Sequence, residues 1–383
     1  MPWKELVALD RRNEMIEDYL FHDYTITELG LKYKISRKTV YKWIERHEEL
    51  GHEGLKEFPR TPHNCPNETT KEIVQEILNM KTLKMHWGPK KILARLRDVR
   101  PNTKWPADST GHDILKRYGL VKTRKYRQRT PAYTKPFLHC DAPNMVWSAD
   151  YKGQFAMGNG NRCYPLTISD NYSRYLLLCQ GLAHPKYEQT KAGFEWAFRT
   201  YGLPQAIRTD NGAPFASNGL GGLSRLSVWF IKLGISPERI MTGHPEQNGR
   251  HERMHRTLKK CTASPPERNI REQQKAFDEF RDEYNYERPH EALGQKTPAS
   301  FYHSSFKQFP GRIPTVEYDS GVTSRSVHNR GEIRWKAQRI FLSEALIGER
   351  VGLFQTNDGV WELKYGFYPL GLIDERLMKI KRY

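Results

Sequence analysis

Apolar positions in the first sixty residues recur at helical spacing. Ile16, Tyr19 and Leu20 mark one face of a first helix. Thr25-Ile26-Thr27-Glu28-Leu29 opens a second, ending near Lys34. Ser36 can cap a third, running from Arg37 to about Glu49 and stopping before Gly51. Ile26, Leu29, Ile35, Val40 and Ile44 are expected to form the small core, which leaves Arg37, Lys38, Thr39 and Lys42 on the open face of the third helix. A short helix, a tight turn and a helix with a polar, basic front is helix-turn-helix logic. A three-helix bundle with a solvated charged face fits the same pattern.

Gly54 to Pro66 holds three prolines and reads as a linker. Helical spacing returns over 70–81, 89–98 and 107–118, and the last segment meets a stop at Gly119. A second helix-turn-helix unit is expected there. Lys122, Arg124, Lys125, Arg127 and Arg129 then form a basic stretch, read as a DNA-tracking arm in preference to a solvated tail.

After Pro136 the pattern turns to strands: 145–155, 162–169 and 174–181, with Asp170-Asn171 as a turn between the last two. A helix over 188–201, a short strand over 205–209 and helices over 224–233, 248–262 and 267–287 follow. Strands first and then mixed elements predict a mixed sheet with helices on its faces. Short strands over 313–319, 333–341, 350–356, 359–364 and 367–373 predict a small β-barrel or sandwich at the end. The fold class expected is multidomain α+β. Its parts are helical units at 1–58 and 66–121, a basic linker at 122–136, a mixed α/β core at 137–302 and a β-rich domain at 312–383.

Charge narrows the partner. Lys and Arg number 62 against 44 Asp and Glu, a net charge of +18, and such a surplus repels itself unless a polyanion neutralises it. Nucleic acid is the leading candidate. The five cysteines form no CxxC pair, so free thiols in a reducing compartment are expected rather than a zinc site. No secretory leader pattern and no membrane-length apolar run is present, which predicts a soluble protein in the cytoplasm, at the nucleoid.

Three acids stand out. Asp150 lies in an otherwise apolar strand, where an acid is costly to bury unless paired or metal-bound, although alternation also lets it face outward. Asp210 follows the strand Ala206-Ile207-Arg208-Thr209 and opens Asp210-Asn211-Gly212, which is also an ordinary turn sequence. Asp170 is read as a hairpin-turn residue. In the helix after Asn248-Gly249, Met254, Leu258 and Cys261 form an apolar stripe. Glu252, Arg256 and Lys259 repeat the same spacing, about 200° around the helix, so they are expected to point away together. A solvated Glu-Arg pair is the plainer account of that face.

Trp147-Ser148-Ala149-Asp150-Tyr151-Lys152-Gly153, Arg208-Thr209-Asp210-Asn211-Gly212-Ala213-Pro214-Phe215 and Pro245 through Lys259 together resemble the D-D-E core of insertion-sequence transposases and retroviral integrases. Tyr284-Asn285-Tyr286-Glu287-Arg288-Pro289-His290 resembles the segment that ends this core in bacterial insertion-sequence enzymes. The likeness covers about 144–302. It implies a ribonuclease-H-like fold and DNA nicking and strand transfer with two Mg²⁺ ions, for which Mn²⁺ can substitute. Carried over by motif, Asp150, Asp210 and Glu252 would be catalytic and would hold the metals, while Arg256 and Lys259 would face the DNA end. Arg37, Lys38, Thr39, Lys42, Arg124, Lys125 and Arg127 would contact DNA.

Many relatives have 35 residues between the second Asp and the Glu. Here that spacing selects Glu246, whereas 41 residues precede Glu252. The pattern Pro245-x-x-Asn248-Gly249-x-x-Glu252 and the helix face select Glu252, with the extra length assigned to a flexible loop from Ser217 to Gly222. The expected activity is that of a transposase binding the terminal inverted repeats of an insertion sequence and joining their ends to target DNA. The expected assembly is a dimer or larger on double-stranded DNA, away from membranes. A non-catalytic regulator built on the same fold and a ribonuclease-H-type nuclease are the rivals.

Overall fold

The structure is a computed structural model, and it describes residues 5–58, 68–121, 140–217, 219–240, 245–377 and 379–381. The chain divides into two compact units, 1–68 and 69–383.

The first unit holds α1 (Glu5–Leu20), α2 (Ile26–Lys32) and α3 (Arg37–Leu50). Thr25 and Glu28 close a capping box on α2, and the Ser36 side chain accepts from the backbone N–H of Thr39 to start α3. Leu29, Val40 and Ile44 are buried with Met15, Ile16, Trp43 and Leu55, and Ile26 and Ile35 pack against them. Leu20 departs from expectation and is exposed. It is the last residue of α1, and the chain leaves through a turn at His22 with positive φ, so no wall meets its side chain. Trp43 takes the place of a further aliphatic core residue, with the Arg12 guanidinium 3.9 Å from its ring centroid.

The second unit opens with α4 (Lys71–Leu83), α5 (Pro89–Val99) and α6 (Asp108–Arg117), packed around Ile77, Trp87, Ile92, Leu93 and Leu115. Pro89 stands at the start of α5, where its missing N–H costs nothing. Gly111 lets α6 lie close on α5, since a Cβ there would meet Leu93 Cδ1 at 2.7 Å.

A six-stranded mixed sheet follows. Its strands are β1 (Val146–Tyr151), β2 (Phe155–Ala156), β3 (Arg162–Asp170), β4 (Leu176–Leu182), β5 (Ala206–Thr209) and β6 (Ser236–Arg239). The order is β2-β3-β1-β5-β6, with β4 also on β3. Two helices, α7 (Tyr187–Tyr201) and α8 (Arg225–Lys232), cover one face through Phe194, Phe198, Trp229 and Phe230. Two more, α9 (Gly249–Thr262) and α10 (Ile270–Asp282), cover the other through Met254, Leu258, Phe277 and Phe280. Alternation along β3 feeds both layers: Leu166 and Ile168 join the first, Cys163 the second.

Several details differ from the sequence expectation. Strand β6 is Ser-Pro-Glu-Arg, a polar edge strand with no hydrophobic alternation to announce it. The helix expected over 267–287 starts at Ile270 under an Asn269 cap, and its end widens into a π turn over Glu283–Glu287. Asp170 is not a turn tip. It ends β3 and is buried, with its carboxylate accepting from the backbone N–H groups of Asn144 and Ser173 and from the Ser173 hydroxyl. The segment over 219–222, where a loose loop was expected, is anchored: Leu220 is buried and donates its N–H to Leu342 O at 3.1 Å.

The C-terminal part contains β7 (Thr323–Ser326), β8 (Glu332–Trp335), β9 (Gln338–Phe341), β10 (Arg350–Asn357), β11 (Val360–Tyr365), β12 (Tyr368–Asp374) and β13 (Lys379–Lys381). No strand forms over 313–319. The single strand expected over 333–341 is a hairpin, turned at Lys336 and Ala337 with positive φ, and neither residue is of a type that signals such a turn. The small β-barrel expected here is not closed among the described residues. Five strands form an open sheet in the order β13-β12-β11-β10-β7, and the β8–β9 hairpin shares no strand ladder with it, packing instead on its core through Ile333, Trp335 and Ile340. The interior of this part, Leu353, Leu363 and Ile373, is continuous with Leu220, Leu223, Val228 and Ile231 of the sheet-and-helix core.

Candidate active site

Strands β1 and β5 run parallel, with Ala149 beside Thr209. The next residues along each are Asp150 and Asp210, so two acids separated by sixty positions in sequence meet at the same end of adjacent strands. Asp150 is half-buried. Burial pushes its carboxyl up to about 7, repulsion from Asp210 adds to this, and Glu252 contributes to the same effect. Asp210 is also raised by burial, partly offset by the Gly212 N–H that donates to it at 3.2 Å.

Helix α9 supplies the third acid. Glu252, Arg256 and Lys259 are all exposed, on the side away from Met254 and Leu258. The expected inward stripe holds at those two residues but not at Cys261, which is exposed; Thr262 is buried in its place. Two histidines complete the inward face. His251 and His255 are 2% and 4% exposed, and their rings meet edge to face with centroids 4.6 Å apart. Sequence reasoning missed both by drawing the inward stripe from apolar residues alone. Their i, i+4 spacing, interleaved with Met254 and Leu258, was the available signal.

Burial pushes His251 down to about 3, and it pushes His255 down with help from its neighbour, so both rings are neutral. Thr167, the cross-strand partner of Asp150, places its Oγ1 2.7 Å from His251 Nε2 and 2.6 Å from His255 Nε2. Ser169 Oγ is 3.0 Å from His251 Nδ1. Asn248 donates from Nδ2 to Asp150 Oδ2 at 3.4 Å, and His255 Nδ1 lies 3.8 Å from the same oxygen.

Among the described residues, no three His, Cys, Asp or Glu side chains are gathered closely enough to form a ready metal cage. The donor chemistry nevertheless fits a hard divalent cation. Asp150 and Asp210 are both desolvated, and Asp210 adds to the cost of ionising Asp150; an oxygen-seeking cation between them would offset these penalties.

Of the residues expected to contact DNA, Arg37, Lys38 and Lys42 are exposed on α3. Thr39 is half-buried, with its hydroxyl 2.8 Å from that of Ser36, so it serves the helix cap. Arg124, Lys125 and Arg127 lie outside the described residues, as does the side chain of Glu246.

Residues 141–245 and 233–298 each match an integrase core domain model. The chain carries an integrase core. Ahead of it, residues 11–62 match a helix-turn-helix domain and 39–115 a homeodomain-like domain. The architecture is therefore α+β, with helix-turn-helix domains preceding an integrase core built on a mixed sheet.

The chain is similar to an uncharacterised 31.7 kDa protein of insertion element IS407 from Burkholderia multivorans, at 27% identity over 185 residues. It is also similar, at 27% identity over 185 residues, to an uncharacterised 39.2 kDa protein of insertion element IS476 from Xanthomonas euvesicatoria. Each match covers 47% of this chain, and 63% and 51% of the respective relatives. Among solved structures, the HTLV-2 integrase catalytic core in complex with magnesium aligns at 17% identity, covering 42% of this chain and 98% of that one, with a TM-score of 0.34. A simian T-cell lymphotropic virus intasome chain, from a complex with a PP2A regulatory subunit, aligns at 15% identity over 76% of this chain and 97% of that one, with a TM-score of 0.38.

No helix among the described residues is long and apolar enough to cross a membrane.

Proposed function

We propose that this integrase-core chain is a DNA transposase that cuts and joins the ends of an insertion sequence. The observation that carries the reading is the meeting of Asp150 and Asp210 at the ends of β1 and β5, close enough to α9 that Glu252 raises the Asp150 carboxyl as well. Asp150, Asp210 and Glu252 would hold two Mg²⁺ or Mn²⁺ ions. Bound divalent ions supply activation of an attacking oxygen and stabilisation of a leaving one. Arg256 and Lys259, exposed on the Glu252 side of α9, would hold backbone phosphates of the DNA end.

The two helical units, 1–58 and 66–121, would recognise terminal inverted repeats, with Arg37, Lys38 and Lys42 reaching the duplex and the 122–136 segment following its backbone. Residues 137–302 would form the catalytic core, and 312–383 would add DNA or subunit contacts. Two ends must be held at once, so a homodimer or larger assembly on DNA is proposed, acting in the cytoplasm at the nucleoid.

The test is cleavage and joining of duplexes carrying the ends of the chain's own element. Nicks at the 3′ ends and joined products are expected with Mg²⁺, and neither with a chelator or with Asp210→Asn. Wild-type protein that neither cuts nor joins such duplexes, or an Asp210→Asn variant as active as wild type, overturns the proposal. Preference for RNA–DNA hybrids over duplex DNA would assign the site to a nuclease instead.

A further inference from the structure

The two buried histidines of α9 converge on one hydroxyl, and the hydrogen count there is restrictive. Thr167 Oγ1 has three partners: the Asp150 backbone carbonyl at 3.1 Å, His251 Nε2 at 2.7 Å and His255 Nε2 at 2.6 Å. A hydroxyl has one proton and two lone pairs, and a carbonyl only accepts. With the Thr167 proton directed at the carbonyl, both imidazoles donate from Nε2. His251 Nδ1 then accepts from the Ser169 hydroxyl. This arrangement satisfies Thr167, Ser169 and both ring nitrogens of His251, it leaves His255 Nδ1 as an acceptor 3.8 Å from Asp150 Oδ2, and Thr167 is fully buried.

The hydroxyl thus ties three things together: the backbone of β1 at Asp150, the strand β3 opposite it, and two successive turns of α9 on either side of Glu252. Packing of Met254 and Leu258 alone is non-directional and would let α9 slide or rotate by fractions of a turn. Hydrogen bonds from two positions four residues apart remove both freedoms. A metal-binding constellation needs its ligands within about 0.5 Å of the productive arrangement.

We infer that Thr167, with His251 and His255, is a positioning hub that sets the register of α9 on the sheet and thereby the place of Glu252 relative to Asp150. The inference rests on the reading of Asp150 and Glu252 as metal ligands. None of the three hub residues is a catalytic residue; each acts through the placement of those acids. A merely structural network would lower the melting temperature when broken and leave metal affinity alone.

The experiment measures Mn²⁺ binding by calorimetry, the metal dependence of end cleavage, and thermal melting. It uses full-length wild type, Thr167→Val, Thr167→Ser and Asp150→Asn. Thr167→Val preserves shape and removes the hydroxyl. It is expected to raise the half-saturating Mn²⁺ concentration about tenfold, as loss of a group supporting metal ligands does. It should also lower kcat without changing KM for DNA, and Thr167→Ser should restore both.

Wild-type metal affinity and kcat in Thr167→Val overturn the hub, whatever happens to the melting temperature. So does a Thr167→Ser variant as impaired as Thr167→Val. Should Thr167→Val not yield folded protein, His255→Phe tests the same link from the helix side, and unchanged Mn²⁺ affinity there overturns it. If Asp150→Asn binds Mn²⁺ as wild type does, the metal-site reading itself fails and the hub falls with it. If Asp150→Asn loses binding while Thr167→Val keeps it, the hub alone fails.

Discussion

Helices α3 and α9 are alike on the outside and unlike on the inside. Each is 14 residues long and presents exposed cations, Arg37, Lys38 and Lys42 on one and Arg256 and Lys259 on the other. The inward face of α3 is Val40, Trp43 and Ile44, held by apolar contact. The inward face of α9 adds two histidines to its apolar residues, and both hydrogen-bond across to β3. The difference matches what each helix would have to do under the proposed function. A helix that reaches for a phosphate with long, flexible side chains tolerates small shifts, because Lys and Arg can follow the target. A helix that must bring a short carboxylate to a fixed point does not, and directional bonds are the means of fixing it.

The largest effect expected is at the carboxylate face of α9. Glu252→Gln should reduce end cleavage by more than about a hundredfold, since even groups that only support metal ligands cost up to that much. DNA affinity should change little, and Glu246→Gln should remain active. A dead Glu246→Gln beside an active Glu252→Gln would reverse the assignment and leave the outer face of α9 with no acid that serves the site.

A smaller effect is expected in stability, at Asp150, the strand carboxyl whose ionisation Glu252 of α9 makes harder. The folded Asp150 carboxyl titrates near 7, above its ordinary 3.8, so ionising it costs stability. That cost is absent below pH 3.8 and complete above about pH 7. Asp150→Asn should therefore stabilise metal-free protein at pH 8 by up to a few kcal/mol, seen as a higher melting temperature, and give no such gain at pH 3.5. Loss of stability at pH 8 would mean that the carboxylate is structural.

The smallest effect concerns α3. Arg37→Ala and Lys42→Ala should each weaken DNA binding evenly across sequences and reduce the slope of log affinity against log salt by about one. Cleavage of saturating DNA should be unaffected. An unchanged salt slope in both variants would reduce that face to a solvated surface and remove the likeness to α9.

Much of the architecture was legible along the chain because burial imposes a period. The helical spacing of Leu29, Val40 and Ile44 and the apolar run around Asp150 announced their elements without help. Where no period exists, nothing was announced. Strand β6 is polar and lies at an edge, and the 333–341 hairpin turns on Lys336 and Ala337 rather than glycine. The C-terminal strands were read as a small barrel or sandwich, and the sheet is open, because strand spacing alone carries no information about which edges meet. At the site, motif and helix face picked out three acids. The same reading passed over His251 and His255, since the inward stripe was drawn from apolar residues alone.

The sequence by itself determined which residue types could stand at a strand end or on a helix face, because side-chain direction follows from backbone period. That was enough to offer Asp150, Asp210 and Glu252 as partners, and to set Glu252 on one face with Arg256 and Lys259. Only the tertiary structure decided that β1 lies parallel to β5, which brings two acids sixty positions apart to one edge. It alone placed Thr167 under α9 with two imidazoles on its hydroxyl. Strand order and hydrogen-bond partners are set by which distant surfaces exclude water together, and no local period along the chain records that choice.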